Sequence, residues 1–337
     1  MRATALICDS ERRFELREVD IGEPGPGQAL IRTLYTGVSI GTEFALIRGR
    51  ISWGPFPICT GYQGVGVVEA LGPELDGFQV GDKVYYRGHQ GPMRTEDGQT
   101  VSTVAGTHCS HLIAGPHPTH GMDPLPEGAP PEEASCFVMP AVGLLGVDMA
   151  RPKVRDKVVV YGAGAIGLGA IAWLALRGCT VTAIDLDPGR LGIARRLGAD
   201  HVIDASSADV PTEVEGHCPG GADVVFEASG NRDLVGPAIE LCRTEGTFVW
   251  QGNYGEEPLP FRFMPAHGRR LTMVFPCDDG YGPNRRAVMK NLAMGSLRWG
   301  ETITHRVSWS DAPGFFADVE TGARSDVVQA VLHWSDS

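Results

Sequence analysis

The hydrophobic pattern of the chain changes near residue 141. Before that point, short apolar runs alternate with turns rich in glycine and proline, which is typical of a small barrel-like β domain. After it, apolar strand-like runs alternate with helical segments, which predicts a doubly wound parallel sheet. The strands predicted in the first part are residues 29–35, 64–70, 83–86 and 107–114.

The second part gives a regular series of elements. Residues from 302 onward return to β and helical patterns, and we expect them to rejoin the first domain. The sequence thus predicts one domain from residues 1–140 and 277–337, and another from residues 141–276. The predicted strands of the second domain are residues 158–161, 180–184, 201–203, 223–227, 246–251 and 271–275, with helices at 165–177, 191–197 and 234–242. A further helix is predicted at 284–294, in the part assigned to the first domain.

The most informative motif is a glycine-rich turn between the first strand and the first helix of the second domain. Gly162, Gly164 and Gly167 form GxGxxG. In this pattern the first glycine permits a tight turn, the second lets a pyrophosphate approach the backbone, and the third lets the helix pack against the strand. The helix N-terminus then offers N–H groups and a positive dipole end to the phosphates. The motif predicts dinucleotide binding, and the alternative is a glycine-rich turn without a ligand.

An acidic residue indicates which dinucleotide binds. Asp185 stands about twenty residues after the turn, where a carboxylate accepts a hydrogen bond from the ribose 2′-hydroxyl. The same carboxylate repels a 2′-phosphate, and NADP sites usually offer an arginine there. Arg190 lies nearby but follows the acid rather than replacing it. We therefore predict NAD rather than NADP as the cofactor.

Composition narrows the class of protein. The chain has 337 residues, 42% of them hydrophobic and 21% charged, with a net charge of −12. This charge disfavours nucleic acid or an anionic membrane as a partner, and no apolar run approaches the roughly twenty residues of a membrane span. The start of the chain turns charged too early for a signal peptide. The eight cysteines form no CxxC pair, so we expect reduced thiols in a soluble, cytoplasmic enzyme.

Several blocks, in order, carry a family resemblance over nearly the full length. They are PGPGQALIRTLYTGVS, GYQGVGVVEALG, FQVGDKVYY, LPEGAPPEEASCFVMPAVGLLG, the glycine turn and HRVSWSDAPGFF. With them the chain resembles the medium-chain dehydrogenase/reductase family, the zinc alcohol and polyol dehydrogenases. The resemblance implies a GroES-like β-barrel catalytic domain and a Rossmann NAD-binding domain. The stretch TGVSIGTEFALIRGRISWGPFPICTGYQGVG is similar to a narrower branch, the hydroxyethyl-bacteriochlorophyllide dehydrogenase-type proteins.

The sequence departs from the family where zinc binds. Members with catalytic zinc carry a Cys after the TG[IV] run, a GHE motif, and a Cys or Glu before a Pro. Here these positions hold Ser39, then Tyr62 with Gln63, and Met139. These side chains do not replace the thiolate, imidazole and carboxylate ligands of catalytic zinc. Residues 87–105 also lack the cysteines of the structural zinc lobe, so we predict a protein without zinc.

Without zinc, side-chain donors must polarise the substrate oxygen. Tyr62 is a candidate general acid, or a buried ring that fills the former metal cavity. Thr42 resembles the Ser/Thr of the family's proton relay, or it caps a turn or helix. Glu43 is either a base or the ion-pair partner of an arginine, and we favour the ion pair. His89 lies just past a strand end and either reaches the cleft or has a structural role.

Two further segments contain candidate residues. The histidine-rich segment 108–120 raises the alternative of another metal, but we interpret its histidines as surface or packed residues. Strand alternation there predicts His108 and Ser110 on one face, with Cys109 and His111 on the other. Large aromatic residues in predicted loops line a pocket or pack at an interface: Trp53, Phe56, Tyr254 and Tyr281.

The carboxyl ends of the second domain's strands complete the predicted cofactor site. The stretch QGNYG follows a strand at the end where ligands bind in such sheets, and in the family it meets the nicotinamide. The predicted cofactor-binding residues are Gly162, Gly164, Ala165, Ile166, Gly167, Asp185, Arg190, Ser229, Gly230, Gln251, Gly252 and Asn253.

Together these observations predict an NAD-linked oxidoreductase that interconverts a secondary alcohol and a ketone without zinc. A sugar, a cyclitol or another multifunctional metabolite is the expected kind of substrate. One alternative is a zinc-free C=C or quinone reductase, a group that generally favours NADPH. The other is a non-catalytic NAD(H)-binding protein. We expect a homodimer or homotetramer with a small-molecule substrate and no nucleic-acid or membrane partner.

Overall fold

The computed structural model describes residues 1–334, which form two compact units. The first unit contains Met1–Phe137, Leu292–Met294 and the chain from Ile303 onward. The second unit contains Val138–Asn291 and Gly295–Thr302. These limits differ from the predicted ones, because residues 277–291 belong to the second unit. Most of them form a helix whose apolar side chains are buried there, rather than a return to the first domain.

The first unit is built mainly from short strands. Its predicted strand at residues 107–114 is too long, because the backbone N–H groups of residues 107, 108 and 110 bond to residues 61, 60 and 4 instead of continuing one regular ladder. The elements of its amino-terminal part are β1 (Arg2–Cys8), β2 (Phe14–Asp20), β3 (Ala29–Val38), α1 (Thr42–Ile47), β4 (Ile58–Cys59), β5 (Gly64–Leu71), β6 (Lys83–Tyr86), β7 (Arg94–Thr95), β8 (Ser102–Thr103), β9 (His111–Ala114), β10 (Met122–Pro124) and α2 (Pro131–Ala134).

The second unit alternates helices and parallel strands. Its elements are α3 (Val138–Ala150), β11 (Lys157–Tyr161), α4 (Ala165–Leu176), β12 (Thr180–Asp185), α5 (Pro188–Arg196), β13 (His201–Asp204), α6 (Val210–His217), β14 (Ala222–Glu227), α7 (Val235–Glu240), β15 (Cys242–Trp250), α8 (Phe263–Gly268), β16 (Thr272–Val274) and α9 (Tyr281–Ala293). The strands form one six-stranded parallel sheet in the order β13-β12-β11-β14-β15-β16. The direction of winding reverses at β11, so the ends of β11, β12 and β14 border the crevice where such sheets bind ligands. The predicted doubly wound parallel sheet is confirmed.

The last described residues return to the first unit as β17 (Ile303–Ser308), α10 (Ala312–Thr321) and β18 (Gln329–His333). Strand β18 pairs with β3 on one side and β17 on the other, within a seven-stranded sheet that runs β10-β6-β5-β3-β18-β17 and includes β9 beside β3. A second sheet runs β7-β2-β1-β4-β8. Phe44, Phe316 and Trp334 are buried in a core of this unit. None of the helices in the described chain has the length and apolar character that a bilayer crossing requires.

Candidate active site

The glycine turn after β11 has the geometry that its sequence predicts. Gly162 has a φ of +102°, and a Cβ there would lie 2.7 Å from the backbone nitrogen of Ser229. A Cβ at Gly167 would lie 1.9 Å from the carbonyl oxygen of Gly162. Both positions therefore require glycine, the first for its backbone conformation and the second for close helix packing. Gly164 is different, because a Cβ there would meet nothing within 4 Å.

That open space faces the start of α4. Gly164 is the N-cap residue and supplies no side-chain cap, and Ala165 and Ile166 form the first turn. The first N–H groups of a helix have no intrahelical partner and carry a partial positive charge. The turn therefore offers a cradle of backbone donors into which a pyrophosphate fits.

Asp185 ends β12 and is tied to this turn. Its Oδ2 accepts the N–H of Ala163 at 2.6 Å, and its Oδ1 accepts the N–H of Asp187 at 3.0 Å. Each carboxylate oxygen has a further lone pair with which to accept a ribose hydroxyl. Arg190 lies on α5, where its Nε is 3.7 Å from Asp187 Oδ2. The arginine is thus paired with Asp187, the N-cap of α5, and the role of Asp185 stays a prediction.

Sequence reasoning missed Glu227, the last residue of β14. This carboxylate is fully buried and accepts the N–H of Ser229 at 3.0 Å and that of Gly230 at 3.3 Å. It also accepts the hydroxyls of Ser229 and Tyr254. Burial and the neighbouring Glu227 raise the pKa of Tyr254, so its phenol stays protonated and donates to the acid. The sequence signal that could have identified Glu227 is an acidic residue at the end of an apolar strand, in the run VVFE.

The backbone of Glu227 also holds the loop after β15. Its carbonyl oxygen accepts the N–H groups of Gln251 at 2.9 Å and Gly252 at 2.8 Å. Asn253 accepts the N–H of Gly255 at 2.9 Å through its side chain. The carboxyl ends of β14 and β15 therefore carry five of the predicted cofactor-binding residues on two neighbouring loops. They are Ser229, Gly230, Gln251, Gly252 and Asn253.

In the first unit, Tyr62 lies beside two hydroxyls, that of the buried Ser39 and that of the partly exposed Thr42. It is 6% exposed, and hydrogen bonds join its phenol to the side chains of Ser39 and Thr42. Burial raises the pKa of Tyr62 to about 12, the charge of Glu43 raises it further, and the two hydroxyls oppose this shift. The phenol is therefore protonated at neutral pH and suited to donate a hydrogen bond or a proton.

Glu43 pairs with a histidine, so the predicted arginine partner is wrong. Its Oε2 lies 2.9 Å from His108 Nε2, and its Oε1 accepts the N–H of Ser39 at 2.7 Å. His108 Nδ1 is 2.9 Å from the hydroxyl of Thr36, which also accepts the indole N–H of Trp334. Because both oxygens of this fully buried acid are engaged, Glu43 positions Ser39 and does not have the access of a base.

His89 has a structural environment. Its Nδ1 accepts the N–H of Ile113 at 2.9 Å, and its Nε2 lies 3.2 Å from the carbonyl oxygen of Pro92. Burial lowers the pKa of His89, so the ring is neutral. In a neutral ring one nitrogen accepts and the other donates, so Nδ1 is the acceptor and Nε2 is the donor. These two contacts hold the loop around His89 and Pro92 against strand β9, and they leave no proton of the ring for substrate.

The histidine-rich segment is packed rather than alternating. His108, Cys109 and Ser110 are all buried, and His111 is half-buried with its Nε2 3.3 Å from Glu69 Oε2. The predicted alternation of faces is wrong because regular pairing begins only at residue 111. Between residues 1 and 334, no group of three or more His, Cys, Asp or Glu residues is arranged to hold a metal ion.

The residues at the family's zinc positions do not fit zinc. Ser39 and Tyr62 hydrogen-bond to each other through their hydroxyls, and Gln63 is a buried amide. Met139 lies in the second unit, where it is buried as an apolar side chain. Hydroxyl, amide and thioether groups lack the basicity of the thiolate and imidazole ligands that catalytic zinc requires.

A small cavity of the first unit opens beside Tyr62. Its volume is about 160 Å³. The guanidinium carbon of Arg87 lies 5.8 Å from the centre of the Tyr62 ring, which places a cation next to the phenol. The residues lining the cavity are Trp53, Tyr62, Arg87, Gly88, His89, Gln90, Ala105 and His120.

The β domain, the parallel sheet with its glycine turn and the acid after β12 define the class of dinucleotide-binding oxidoreductases. Residues 25–122 match the alcohol dehydrogenase GroES-like domain, and residues 165–288 match the zinc-binding dehydrogenase family. The chain belongs to the zinc-type medium-chain dehydrogenase/reductase family. It is therefore an oxidoreductase of the alcohol dehydrogenase type, in a family that uses a nicotinamide cofactor.

Relatives agree with this assignment. The chain is 32% identical to 5-exo-hydroxycamphor dehydrogenase of Pseudomonas putida, across 95% of this chain and 96% of that protein. It is 27% identical to erythritol/L-threitol dehydrogenase of Mycolicibacterium smegmatis, across 90% of each. A dehydrogenase of Sinorhizobium meliloti 1021, solved with NADP bound, shares the fold with a TM-score of 0.84 at 22% identity and covers 99% of both chains.

Proposed function

We propose that this protein interconverts a secondary alcohol and a ketone, with NAD as the hydride carrier and without a catalytic zinc ion. The observation that carries the proposal is the buried phenol of Tyr62, which stands at a zinc-ligand position of the family and is hydrogen-bonded to the side chains of Ser39 and Thr42. The names of the two relatives describe dehydrogenases of a hydroxycamphor and of tetritols, which supports an alcohol substrate. A sugar, cyclitol or other multifunctional alcohol fits that range.

The residues present supply the proton chemistry of ketone reduction. A nicotinamide cofactor held by the glycine turn and Asp185 would supply the hydride when bound, which would leave negative charge on the substrate oxygen. Tyr62, with a pKa of about 12, gives its proton to that oxygen, because an alkoxide is more basic, comparable with hydroxide from water of pKa about 16. The hydroxyls of Ser39 and Thr42 stabilise the phenolate by donating hydrogen bonds to it, and a proton from solvent restores the phenol. Glu43 holds Ser39 in place through the backbone N–H. Alcohol oxidation reverses these steps.

Replacement of Tyr62 by Phe tests this role, because Tyr62→Phe keeps the ring and removes the hydroxyl. We expect NAD binding to persist while kcat falls on the order of a hundredfold or more, as for loss of one preorganised donor. Thr42→Ala gives a smaller loss. Tyr86→Phe is the matched control, because it removes another buried phenol of the same unit, one that donates to the hydroxyl of Thr33. Unchanged turnover of Tyr62→Phe on the true substrate would assign the ring to cavity filling.

Metal content gives an independent test. We expect elemental analysis of the dialysed protein to find far less than one zinc per chain, because the ligand set has been replaced. About one zinc per chain would overturn the zinc-independent mechanism. It would direct attention to His108, His111 and the other donors of that segment.

The preference for NAD follows from Asp185. Its carboxylate lies at the glycine turn, where it accepts a ribose hydroxyl and repels a 2′-phosphate. We expect isothermal titration to show tighter binding of NAD than of NADP, and Asp185→Ala to narrow the difference. Arg190→Ala is the companion variant, because it tests the nearest cation on α5. Equal or tighter binding of NADP by the wild type would show that Arg190 or a neighbour overrides the acid.

The thiols bear on location. All eight cysteines are free, and seven are buried. Free thiols persist in reducing compartments. We therefore retain the cytoplasm as the proposed place of action.

A further inference from the structure

The buried carboxylate of Glu227 takes no part in the proton chemistry of Tyr62. Its donors are the N–H groups of Ser229 and Gly230 and the hydroxyls of Ser229 and Tyr254, two on each carboxylate oxygen. An ionised carboxylate only accepts hydrogen bonds, and four donors are the complement that it requires. All four donors are neutral, so they spread the negative charge without cancelling it.

No cation is paired with this charge. In the described part of the chain, Glu227 forms no ion pair. The nearby guanidinium of Arg232 is engaged elsewhere, because it donates to the backbone carbonyls of Tyr254, Glu257 and Pro258. Buried charges are usually paired, so this acid calls for a positive charge that the folded chain does not supply.

Two glycines cover the carboxylate. A Cβ on Gly252 would lie 2.9 Å from Glu227 Oε2 and 2.8 Å from the backbone nitrogen of Gly230. No side chain therefore fits where the loops after β14 and β15 meet, and both glycines are partly exposed. The charge thus lies one layer of backbone beneath the surface at the ends of these two strands.

The order of the strands shows which part of a dinucleotide meets this surface. A dinucleotide lies across the switch point of a doubly wound sheet, with one nucleotide on each side. The glycine turn follows β11 at the switch point, and Asp185 at the end of β12 is the predicted partner of the adenosine ribose. The nicotinamide nucleotide then belongs to the other side, at the ends of β14 and β15, and Glu227 ends β14.

We propose that the charge of Glu227 makes the site favour the oxidised cofactor, because the nicotinamide ring of NAD⁺ is positively charged and that of NADH is neutral. The adenosine and the pyrophosphate are the same in both forms, so only the ring distinguishes them. Ketone reduction restores the positive ring, and Glu227 therefore favours that direction on the enzyme. The inference rests on the proposed nicotinamide cofactor and adds a residue that sets the balance between its two forms.

The other role open to Glu227 is that of a clamp between the two loops. A clamp holds both forms of the cofactor alike, so its loss changes both dissociation constants by the same factor. Loss of a charge instead changes the ratio of the Kd of NADH to the Kd of NAD⁺. This ratio separates the two roles without any turnover.

The first experiment measures the ratio by isothermal titration of NAD⁺ and NADH into the wild type and Glu227→Gln. The amide keeps the size of the side chain and removes its charge. We expect the ratio to fall roughly tenfold, the scale for unit charges about 10 Å apart in a partly buried site. An equal change in both constants would overturn the proposal and make Glu227 a clamp.

Two variants make the result specific. Asp204 ends β13 and accepts the N–H of Ser206 at 2.9 Å and its hydroxyl, the same arrangement on the other side of the switch point. Asp204→Asn therefore removes a matched carboxylate, while Tyr254→Phe removes a donor and leaves the charge of Glu227. Both should keep the wild-type ratio. A tenfold fall in either variant would show that the ratio does not report the charge of Glu227.

A second experiment changes the charge of the ligand instead. Benzamide adenine dinucleotide has a neutral phenyl ring in place of the charged ring of NAD⁺ and keeps the carboxamide. We expect the wild type to bind it roughly tenfold more weakly than NAD⁺, and Glu227→Gln to narrow the difference. Equal binding by the wild type would overturn the proposal, even if Glu227→Gln does not fold.

These measurements also separate the inference from the proposed reaction. The expected ratios in a protein that turns over no alcohol would support the role of Glu227 and reject the dehydrogenase activity. If the protein prefers NADP, the same comparison uses NADP⁺ and NADPH, whose rings differ in the same way. Binding of neither pair would overturn this proposal together with the proposed function.

Discussion

The buried pair of Glu43 and His108 fixes the residues around the candidate phenol. Their atoms approach to 2.9 Å, and neither side chain is exposed. The network is satisfied when Thr36 donates to His108 Nδ1 and the Nε2–H donates to the carboxylate, while Trp334 donates to Thr36. Such a pair is costly to break by removing one member, because the other is left buried without compensation.

We expect His108→Leu to lower the free energy of unfolding by about 3–5 kcal/mol. Adding Glu43→Leu to this variant should recover part of the loss, because an apolar pair replaces an uncompensated charge. Urea unfolding followed by circular dichroism measures both. Arg13→Ala, which breaks an exposed pair with Asp9, is the control and should change the stability by about 0.5 kcal/mol or less. A small loss in His108→Leu would mean that water or another donor replaces the histidine.

His89 should make the stability depend on pH. Burial lowers its pKa below the ordinary 6.5, so the unfolded chain takes up a proton at a higher pH than the folded chain does. Its contribution is therefore complete above pH 6.5 and is lost as the pH falls through the folded value, at about 1.4 kcal/mol for each unit of pKa difference. The wild type should lose more stability than His89→Gln between neutral and acidic pH. Parallel pH profiles of the two proteins would contradict this.

At the level of elements, the glycine turn could be predicted because its requirements are local. Three glycines, a preceding apolar strand and an acid after the next strand are all visible within residues 158–185. The Glu43–His108 pair joins residues 65 positions apart, so only the folded β domain reveals it. The role of Glu227 could not be predicted because its hydrogen-bond donors come from two separate loops. The boundary between α7 and β15 was misplaced because local propensity defines helix ends weakly.

Two glycine variants should separate folding from cofactor binding. Gly167→Ala places a Cβ 1.9 Å from the Gly162 carbonyl, so both stability and NAD affinity should fall. Gly164→Ala meets no protein atom within 4 Å, so it should keep the melting temperature but weaken NAD binding by occupying the pyrophosphate space. Gly236→Ala in α7 has the same free space and lies outside the turn, and it is the control. Melting curves and calorimetry check the outcome. Normal NAD affinity in Gly164→Ala would show that the pyrophosphate does not bind beside Gly164.

At the level of the whole molecule, the edge of the parallel sheet offers a surface for self-association. Strand β16 is the last strand of that sheet in the described chain and pairs there with β15. Phe275 directly follows it and Phe263 and Met264 lie on the preceding helix α8, and each of the three is more than 60% exposed. Apolar groups beside an open strand edge favour pairing with another strand, and a two-fold axis lets a second copy supply it.

We propose that the protein is a homodimer through this edge, or a homotetramer that contains such dimers. Sedimentation analysis of the wild type should give at least twice the chain mass of 36.0 kDa. Phe275→Glu should shift it toward the monomer because a buried charge without a partner opposes association. Val80→Glu, an exposed apolar site in the first unit, should leave the assembly unchanged. A monomeric wild type would reject the proposal.

The placement of β18 between β3 and β17 has a consequence for synthesis on the ribosome. Domains generally fold as units as they emerge, with the amino-terminal one first. Here the seven-stranded sheet lacks β17 and β18 until residues 303–333 have emerged, whereas the second unit is complete once residue 302 has emerged. Strands β3, β5, β6, β9 and β10 therefore leave the exit tunnel before the second unit does and complete their sheet after it, so their order of folding runs against their order of synthesis.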